Sequence, residues 1–571
     1  MKKYLTIILI AIAASACSLK EQLTSYTKDG DYYENAAQVR SGLNACYNLI
    51  RSQLGGNGFW MATECTTDLL YLKLSTAYNA TLNISPTHPA IATTIWRYSY
   101  TGVMRANALV AAIDKAVAKG SIEEKEGLEL KGEAIVLRAF FYYLLTCSFG
   151  DVPFYTDVVT EHNRARIASL PRMSANDTRD YLIAELKEYL YPATMGGKEV
   201  LPLKRSYDGV FENRMHAAVG LMLAGKFCMW NERWEDAIEV FGVLEDIYGH
   251  YADNPEQFAL DYLLTDVPFS KKFVPESILE IENKYEPYGV QLTGSIAMYT
   301  TPSKSNNNVV SVYDGEEEEE YVLTDVYCGI TIPEMGSQAR ISTSARPTEY
   351  YFQSVLSYDS PDIRSGEYSN GATEARGGSG NLAWRWSGWA TDDVERKPED
   401  RAVYWFKSGS SASSGSLAAI NTPWLGNKFW CPGMYYTLDS NNYKFFRFAD
   451  VELMLAEAWL RSGDQAMAAK YLNITRVRAK LPKLTAASLG GNEETMMEEI
   501  RMERARELLG EFQRKFDLVR WGIWYERTSQ YNTGGYLQDF IQPCHRYLPI
   551  PAEQITYSHG ALDNNEYKDL K

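Results

Sequence analysis

The sequence lacks the short motifs by which most catalytic and metal-binding proteins are recognised. Its six histidines are scattered, without HExxH or a comparable metal-ligand spacing. Neither a glycine-rich phosphate loop nor a nucleophile motif is present. The eight cysteines include no CxxC pair, so neither a zinc site nor a disulfide framework is indicated. We therefore expect a protein that is not an enzyme and that uses no metal ion or other cofactor.

The chain also has fewer basic than acidic residues. The chain has 57 Lys and Arg residues against 73 Asp and Glu residues, which gives a net charge of −16. Nucleic acids and anionic lipid surfaces require a basic face, so both are disfavoured as partners. Apart from residues 4–14 no long apolar run stands out, and that run is shorter than the roughly 20 residues that cross a bilayer. We expect no membrane-spanning helix.

The N-terminus has the form of a bacterial lipoprotein signal. Lys2 and Lys3 precede the apolar run, the small residues Ala14-Ser15-Ala16 follow it, and Cys17 comes next. This order predicts cleavage before Cys17 and acylation of that residue, which would anchor the mature chain to a membrane. The alternative is an ordinary signal peptide with a chance cysteine beside its cleavage site.

Helical periodicity dominates both ends of the remaining chain and predicts a mainly α fold. The predicted helices are 36–52, 95–118, 123–148, 177–189, 211–230, 234–248, 446–460, 465–479 and 493–525. In the last helix Leu508, Phe512, Phe516 and Val519 would form the buried stripe, and Glu511 would support Lys515 one turn later. Antiparallel pairs such as 211–230 with 234–248 indicate a tetratricopeptide-like helical repeat scaffold.

Between the helical parts the composition shifts toward Gly, Ser, Asn, Pro and Tyr, which predicts a long, irregular, loop-rich insertion. Within it, residues 276–281 are expected to be buried, and the five acids 316–320 are expected to lie in a solvated loop. The predicted division is a signal peptide 1–16, a lipidated tether 17–33, helical repeats 34–250, the insertion 251–444 and a C-terminal helical part 445–571.

Several motifs spread along the chain then point to one family. They are Trp96 with Tyr100 and Asn107, Arg138-Ala139-Phe140-Phe141-Tyr142, Phe149-Gly150-Asp151-Val152-Pro153, Asp362-Ile363-Arg364, Arg447-Phe448-Ala449-Asp450, Asn473 to Arg478, Glu503 to Leu508, Phe516 to Trp521, and Leu548-Pro549-Ile550-Pro551. In this order they resemble the SusD/RagB family of Bacteroidetes outer-membrane lipoproteins. The resemblance covers almost all of residues 17–571, as one SusD-like unit.

The charged motif residues need partners if their helices pack. We expect arginine–carboxylate pairs that join helices, since a buried charge without a partner is costly. The residues concerned are Arg138, Glu457, Arg504, Glu507, Asp517 and Arg520. Trp96 is expected in the core.

The resemblance implies a nutrient receptor in the outer membrane, anchored through Cys17 and facing outward. Such a receptor binds an oligosaccharide and delivers it to a SusC-like TonB-dependent transporter. The family's binding residues come from the loop after the second helix and from the insertion. The candidates here are Tyr71, Tyr78, Asn79, Tyr285, Tyr288, Tyr299, Trp384, Trp386 and Trp389. The C–H faces of sugars stack on aromatic rings, and amides satisfy their hydroxyls, although core packing explains each aromatic residue too.

Three other functions fit the sequence. A receptor of the same transport class can take a peptide, and helical repeats can form a protein–protein adaptor. A glycoside hydrolase would need a pair of carboxylates, which the many acidic residues of this chain can supply.

Overall fold

The computed structural model describes residues 33–203, 213–258, 272–285, 291–300, 308–313, 318–323, 326–327, 330–331, 344–356, 362, 364, 386–389, 401–404, 426–429 and 438–567. The helices are α1 Ala36–Leu54, α2 Asn57–Thr63, α3 Tyr78–Thr81, α4 Ile91–Ala118, α5 Glu124–Phe149, α6 Arg164–Ala168, α7 Ala175–Leu190, α8 Ala217–Trp230, α9 Trp234–Tyr248, α10 Ile296–Thr300, α11 Phe448–Arg461, α12 Gln465–Arg478, α13 Glu493–Glu507, α14 Arg514–Arg520, α15 Trp524–Tyr531 and α16 Ala552–Tyr557.

The strands are short and form two-stranded antiparallel pairs. They are β1 Leu70–Leu72, β2 Ser277–Ile281, β3 Lys284–Tyr285, β4 Gln291–Leu292, β5 Asn308–Tyr313, β6 Glu318–Leu323, β7 Val326–Tyr327, β8 Ile330–Thr331, β9 Ala345–Pro347, β10 Trp386–Trp389, β11 Arg401–Tyr404 and β12 Tyr443–Arg447. The pairs are β1 with β9, β2 with β12, β3 with β4, β5 with β6, β7 with β8, and β10 with β11.

Antiparallel helix pairs form the scaffold, as the sequence predicts. Helix α4 packs on α5, α8 on α9, and α11 on α12, while α9 also contacts α11 and so links the two helical parts. Side-chain caps fix several helix starts: the Asn35 side chain accepts the backbone N–H of Gln38, and the Ser174 side chain accepts that of Asp177. The fold is mainly helical and tetratricopeptide-like, which confirms the predicted fold class.

Helix α5 lies at the centre of the core. All of its residues from Gly132 to Phe149 are buried, because α4, α7 and α8 pack around it. By length and hydropathy this helix could cross a membrane, so the expectation of no second long apolar segment is wrong. Its apolar surface is enclosed by the protein itself, which is the property of a core helix in a globular fold.

Strand β2 ties the insertion to the C-terminal part. Its five residues are all buried and pair with β12, with β-bulges interrupting the register. The predicted buried segment 276–281 is therefore confirmed. Strand β12 also corrects the predicted helix 446–460: Phe446 and Arg447 belong to the strand, and the helix begins at Phe448. Similarly, the helix predicted from residue 211 begins at Ala217.

The long helix predicted over 493–525 is wrong, because the chain turns twice within it. Helix α13 ends at Glu507, and α14 and α15 follow as separate short helices. Gly510 and Phe512 adopt positive φ in the first turn, and Gly522 does so in the second. Leu508, Phe512 and Phe516 are still buried and Val519 partly so, but they do not share one helix.

The first turn leaves Glu511 outside any helix. Its carboxylate accepts hydrogen bonds from Arg447 at 2.6 and 2.8 Å, so the predicted pairing with Lys515 does not form.

The charged motif residues form ion pairs between elements, as predicted. The pairs are Arg138 with Glu185, Arg520 with Glu457, Arg504 with Asp450 and Asp517, and Glu507 with Arg364, Arg447 and Arg478. Burial raises the pKa of Asp450, but Lys226 and Arg504 outweigh that effect and lower it to about 2. Trp96 is buried, which confirms its assignment to the core.

Candidate functional site

The loop after the second helix meets the C-terminal part of the chain at the protein surface. Helix α3 lies beside strand β1 and against the 3-10 helix Leu537–Asp539. The aromatic ring of Tyr71, on β1, rests on Gly534, where an added Cβ would lie 2.5 Å from the ring. Glycine is needed at position 534 because any larger residue would displace this ring.

Three more aromatic side chains in these elements face solvent. Tyr78 is 53% exposed, Tyr536 42% and Phe540 36%. Large aromatic residues usually bury most of their surface, so their exposure together at one place needs an explanation. We call Tyr71, Tyr78, Tyr536 and Phe540 the aromatic patch.

Buried hydrogen bonds hold the patch on a rigid base. Asn532 is fully buried, and its Nδ2 lies within hydrogen-bond distance of the carbonyl oxygens of Cys65, Thr67 and Leu70, at 3.2, 2.7 and 2.8 Å. Upstream of Asn532 along this segment, the Trp524 Nε1 donates to the Thr66 carbonyl oxygen at 2.8 Å. These bonds attach the C-terminal aromatic residues to the strand that carries Tyr71, so the patch is held in place before any ligand arrives.

The loop beside the patch contains strained backbone. Leu82 and Ala90 both adopt positive φ, at 59° and 49°, which is rare outside glycine. The side-chain oxygen Oδ1 of Asn79 accepts the Ile91 backbone N–H at 2.9 Å and so caps the start of α4. The Ala552 N–H donates to the Pro86 carbonyl oxygen at 2.9 Å and ties the loop to the C-terminal part. Asn79 therefore has a structural role, and only its amide N–H groups are left for a ligand.

A second aromatic pair lies next to the patch. The rings of Tyr350 and Tyr531 stack with centroids 3.9 Å apart, and Arg527 donates to the Tyr350 hydroxyl at 2.9 Å. Burial raises the pKa of Tyr350, so this hydroxyl stays protonated at neutral pH. Strand β9 leads into this pair and aligns Arg346 with Tyr71 on β1. Tyr531 directly precedes Asn532, so this pair belongs to the same segments that hold the patch.

Two carboxyl groups with raised pKa values, which a hydrolase would use as acids, do not lie on this surface. Burial raises the pKa of Glu64 to about 8, but this carboxyl is fully buried and accepts the Gly510 N–H at 3.1 Å. Burial likewise raises the pKa of Glu452, which lies in the core. Among the described residues no group of three or more His, Cys, Asp or Glu side chains is arranged to hold a metal ion. Rings, amides and guanidinium groups, rather than carboxyl groups with raised pKa values, are the polar and aromatic groups at this surface.

The predicted site residues of the insertion are spread over several elements. Tyr285 lies in β3 opposite Gln291, and Tyr299 lies on α10, partly buried against the core. Trp386 and Trp389 lie in β10, opposite Tyr404 and Arg401. Because α10 contacts β9, the element with Tyr299 is a neighbour of the strand pair that carries Tyr71. Cys17, Tyr288 and Trp384 lie outside the described residues.

Tyr536 and Phe540 are not among the site residues predicted from the sequence. They lie far from Tyr71 and Tyr78 along the chain, and their segment shows no amphipathic pattern. The pair Gly534-Gly535 directly before Tyr536 is the local signal, since adjacent glycines allow close approach by another part of the chain.

Comparisons with known proteins agree with this architecture. The model described as "SusD family" matches residues 364–567, and the one described as "Starch-binding associating with outer membrane" matches residues 61–188. SusD-like protein P25 from Formosa agariphila is 34% identical over 134 residues, which is 23% of this chain and 25% of the relative. The match thus spans about a quarter of that curated relative's length.

Solved structures show the same fold over nearly the whole chain. A SusD homolog from Bacteroides thetaiotaomicron superposes with a TM-score of 0.65 at 19% identity, covering 93% of this chain and 97% of the homolog. Surface glycan-binding protein A from the same organism, solved in complex with laminarihexaose, has a TM-score of 0.60 at 18% identity and covers 93% and 100%. The two family models together match more than half of the chain, which belongs to the SusD/RagB family.

Proposed function

We propose that this protein is a cell-surface receptor that binds a nutrient oligosaccharide. The observation that carries the proposal is the exposure of the aromatic patch on a base fixed by buried hydrogen bonds. Sugar rings present C–H faces that stack on tyrosine and phenylalanine, while tyrosine hydroxyls and nearby amides satisfy the sugar hydroxyls. A preformed surface loses little conformational entropy when it binds such a ligand.

The relatives support the choice of a glycan. One matching family model is described as starch-binding and outer-membrane associated, and among the similar structures are glycan-binding proteins, one of them a laminarin-binding SusD-like protein. We infer that Tyr71, Tyr78, Tyr536 and Phe540 form the main contact surface. Tyr299 on α10 would extend it toward the insertion, together with Tyr285, Tyr288, Trp384, Trp386 and Trp389.

We further propose how the protein is attached to the membrane and how it delivers its ligand. Acylated Cys17 would anchor the protein in the outer membrane on its extracellular side, and a polar tether would let the body move over a SusC-like TonB-dependent transporter. The ligand would pass unchanged from the receptor to that transporter, without catalysis by this chain.

Single alanine substitutions in the patch test the binding surface. A glycan and peptide array first identifies an oligosaccharide ligand, with laminarihexaose and maltohexaose as the first probes, and calorimetry then measures its Kd. We expect Tyr78→Ala and Tyr536→Ala each to weaken binding about tenfold, since loss of a stacking ring removes about 0.5–1.5 kcal/mol beyond its buried area. The Tm should change little because both side chains are exposed.

The matched control is Tyr181→Ala, another exposed tyrosine, on helix α7 of the repeat scaffold. It should leave the Kd unchanged. Binding that survives both patch substitutions would show that the ligand lies elsewhere. A peptide ligand on the array, or repeated turnover of the oligosaccharide, would exclude the proposed function.

A further inference from the structure

A cavity lies beside helix α1. It opens to solvent, has a volume of about 290 Å³ and is lined by α1, residues 213–215, strand β2 and Leu292 of β4. Its apolar wall consists of Ile50, Met215, Leu279, Ile281 and Leu292. Small-molecule pockets usually start at about 300 Å³, so this space suits a small ligand. It shares no lining residue with the aromatic patch.

Internal hydrogen bonds already satisfy part of the polar lining. The Tyr47 hydroxyl donates to Glu133 and accepts the Met215 N–H at 2.7 Å. Arg214 donates to Asn44 at 2.6 Å and pairs with Glu133 at 2.7 Å. These bonds fix the shape of the cavity and are not available to a ligand.

The hydrogen-bond acceptors of Glu280 are occupied even more completely. Its carboxylate accepts the Lys444 Nζ at 2.5 Å, the Ser277 hydroxyl at 2.6 Å and the Asn442 amide at 2.8 Å. The Asn213 amide donates to the Glu280 carbonyl oxygen at 2.6 Å. The strand edge of the cavity is therefore rigid.

Three polar side chains of the lining have hydrogen-bonding groups that a ligand can use. Within the described residues, Asn48 and Glu282 make no side-chain hydrogen bond or ion pair, and both are exposed. Arg51 donates one hydrogen bond, from Nη2 to the Thr293 carbonyl oxygen at 2.9 Å. It also interacts electrostatically with the negative charge of Glu282. Its guanidinium has five N–H donors, so most of them are left for other acceptors.

Hydrogen-bond donors and acceptors thus line the cavity together with its aliphatic wall. Arg51 donates, Glu282 accepts, and the amide of Asn48 does both. A hydroxyl group likewise donates and accepts, whereas an anion would be repelled by Glu282 and a cation by Arg51. We propose that this cavity binds a single uncharged sugar unit, with its C–H face on Ile281 and Leu292 and its hydroxyls on Asn48, Arg51 and Glu282. This site is separate from the aromatic patch.

Saturation-transfer NMR on the purified protein tests the site. The probe is an equimolar mixture of glucose, galactose, mannose and xylose, with a mixture of neutral amino acids as the comparison ligand. We expect saturation transfer to at least one sugar and none to the amino acids. Asn48→Leu should abolish the signal by filling the cavity, and Glu282→Gln should weaken binding about tenfold by removing a charged acceptor.

Two further variants separate this site from the patch. The double variant Tyr78→Ala with Tyr536→Ala should keep the monosaccharide signal, and so should Ser41→Ala, an exposed position on α1 outside the cavity. Absence of any sugar signal, an unchanged signal in both Asn48→Leu and Glu282→Gln, or transfer to the amino acids instead would overturn the proposal. Loss of the signal in the double variant would place the sugar on the patch and would overturn it too.

Discussion

At the scale of single residues, buried charges define this protein. Most of them are paired: burial raises the pKa of Glu503, but Arg364 and Arg506 outweigh that effect and lower it to about 2. Lys515 is the contrast. It is buried beside the ring of Trp524, 5.0 Å from its centroid, and no described carboxylate pairs with it. Burial lowers the pKa of Lys515 to about 7.

This lysine predicts an unusual pH dependence of stability. The unfolded chain binds a proton at Lys515 up to about pH 10.4, and the folded chain only up to about pH 7. The free energy of unfolding should therefore rise between about pH 7 and pH 10 through this group. We expect Lys515→Met to raise stability at pH 7 by roughly 1–3 kcal/mol and to flatten that rise, as measured by urea unfolding across the pH range.

The control for this prediction is Lys125→Met, which replaces an exposed lysine on α5. It should leave the stability and its pH profile nearly unchanged. Destabilisation by Lys515→Met at pH 7 would show that the buried amine makes favourable interactions in the folded protein.

At the scale of elements, the turn between α13 and α14 shows tertiary contacts overriding a helical sequence. The Trp60 indole donates to the Gly510 carbonyl oxygen at 2.9 Å, and the Gly510 N–H donates to Glu64 at 3.1 Å. Gly510 also lies against the ring of Phe429, where an added Cβ would come within 2.3 Å. Contacts from two distant parts of the chain, residues 60–64 and Phe429, therefore fix this turn.

Two glycine substitutions separate backbone strain from the steric clash. Gly510 and Gly522 both have positive φ, at 76° and 74°, but only Gly510 has neighbours near its missing Cβ. Gly522→Ala should cost about 1 kcal/mol through strain alone. Gly510→Ala should cost on the order of 2–4 kcal/mol because the clash with Phe429 adds to the strain. Chemical denaturation measures both, and equal losses would show that Phe429 moves aside freely.

At the scale of the whole molecule, distant parts of the chain build each proposed binding surface. Strand β2 pairs with β12 and so holds both ends of the insertion, and β9 near its middle pairs with β1 from the N-terminal part. The aromatic patch likewise combines the loop after α2 with the segment after α15. The receptor function proposed above also requires the chain to be held at the membrane, which is the role proposed for Cys17.

Replacing the anchor tests that role without touching the binding surfaces. Cys17→Ala should move the protein from the outer-membrane fraction into soluble fractions, because acylation supplies its membrane affinity. The affinity for the oligosaccharide in solution should stay the same. Membrane fractionation with quantitative immunoblotting measures the first effect and calorimetry the second.

Cys544→Ala, which removes a cysteine from the folded part, is the control and should leave the protein in the membrane fraction. Retention of Cys17→Ala in that fraction would contradict lipid anchoring and indicate attachment through a partner.

By itself the sequence determined most of the long helices and the need of their buried charges for partners. The 3.6-residue repeat of apolar side chains depends on neighbouring residues only, so helices such as α1, α5 and α9 were predictable to within a few residues. The pairing of the motif arginines with carboxylates was predictable as well, because a packed helix cannot bury a charge alone. The predictions for Cys17 and its lipid anchor stay predictions.

Only the tertiary structure decided where the chain departs from its local pattern. Phe446 and Arg447 continue a strand because β2 offers backbone partners, and the helix of 493–525 breaks because Glu64, Trp60 and Phe429 hold its turn. Tyr71 and Tyr78 were candidates from the sequence, but Tyr536 and Phe540 join them through contacts across more than four hundred residues. Periodicity carries no information about such distant contacts, so the composition of the patch could be known only from the fold.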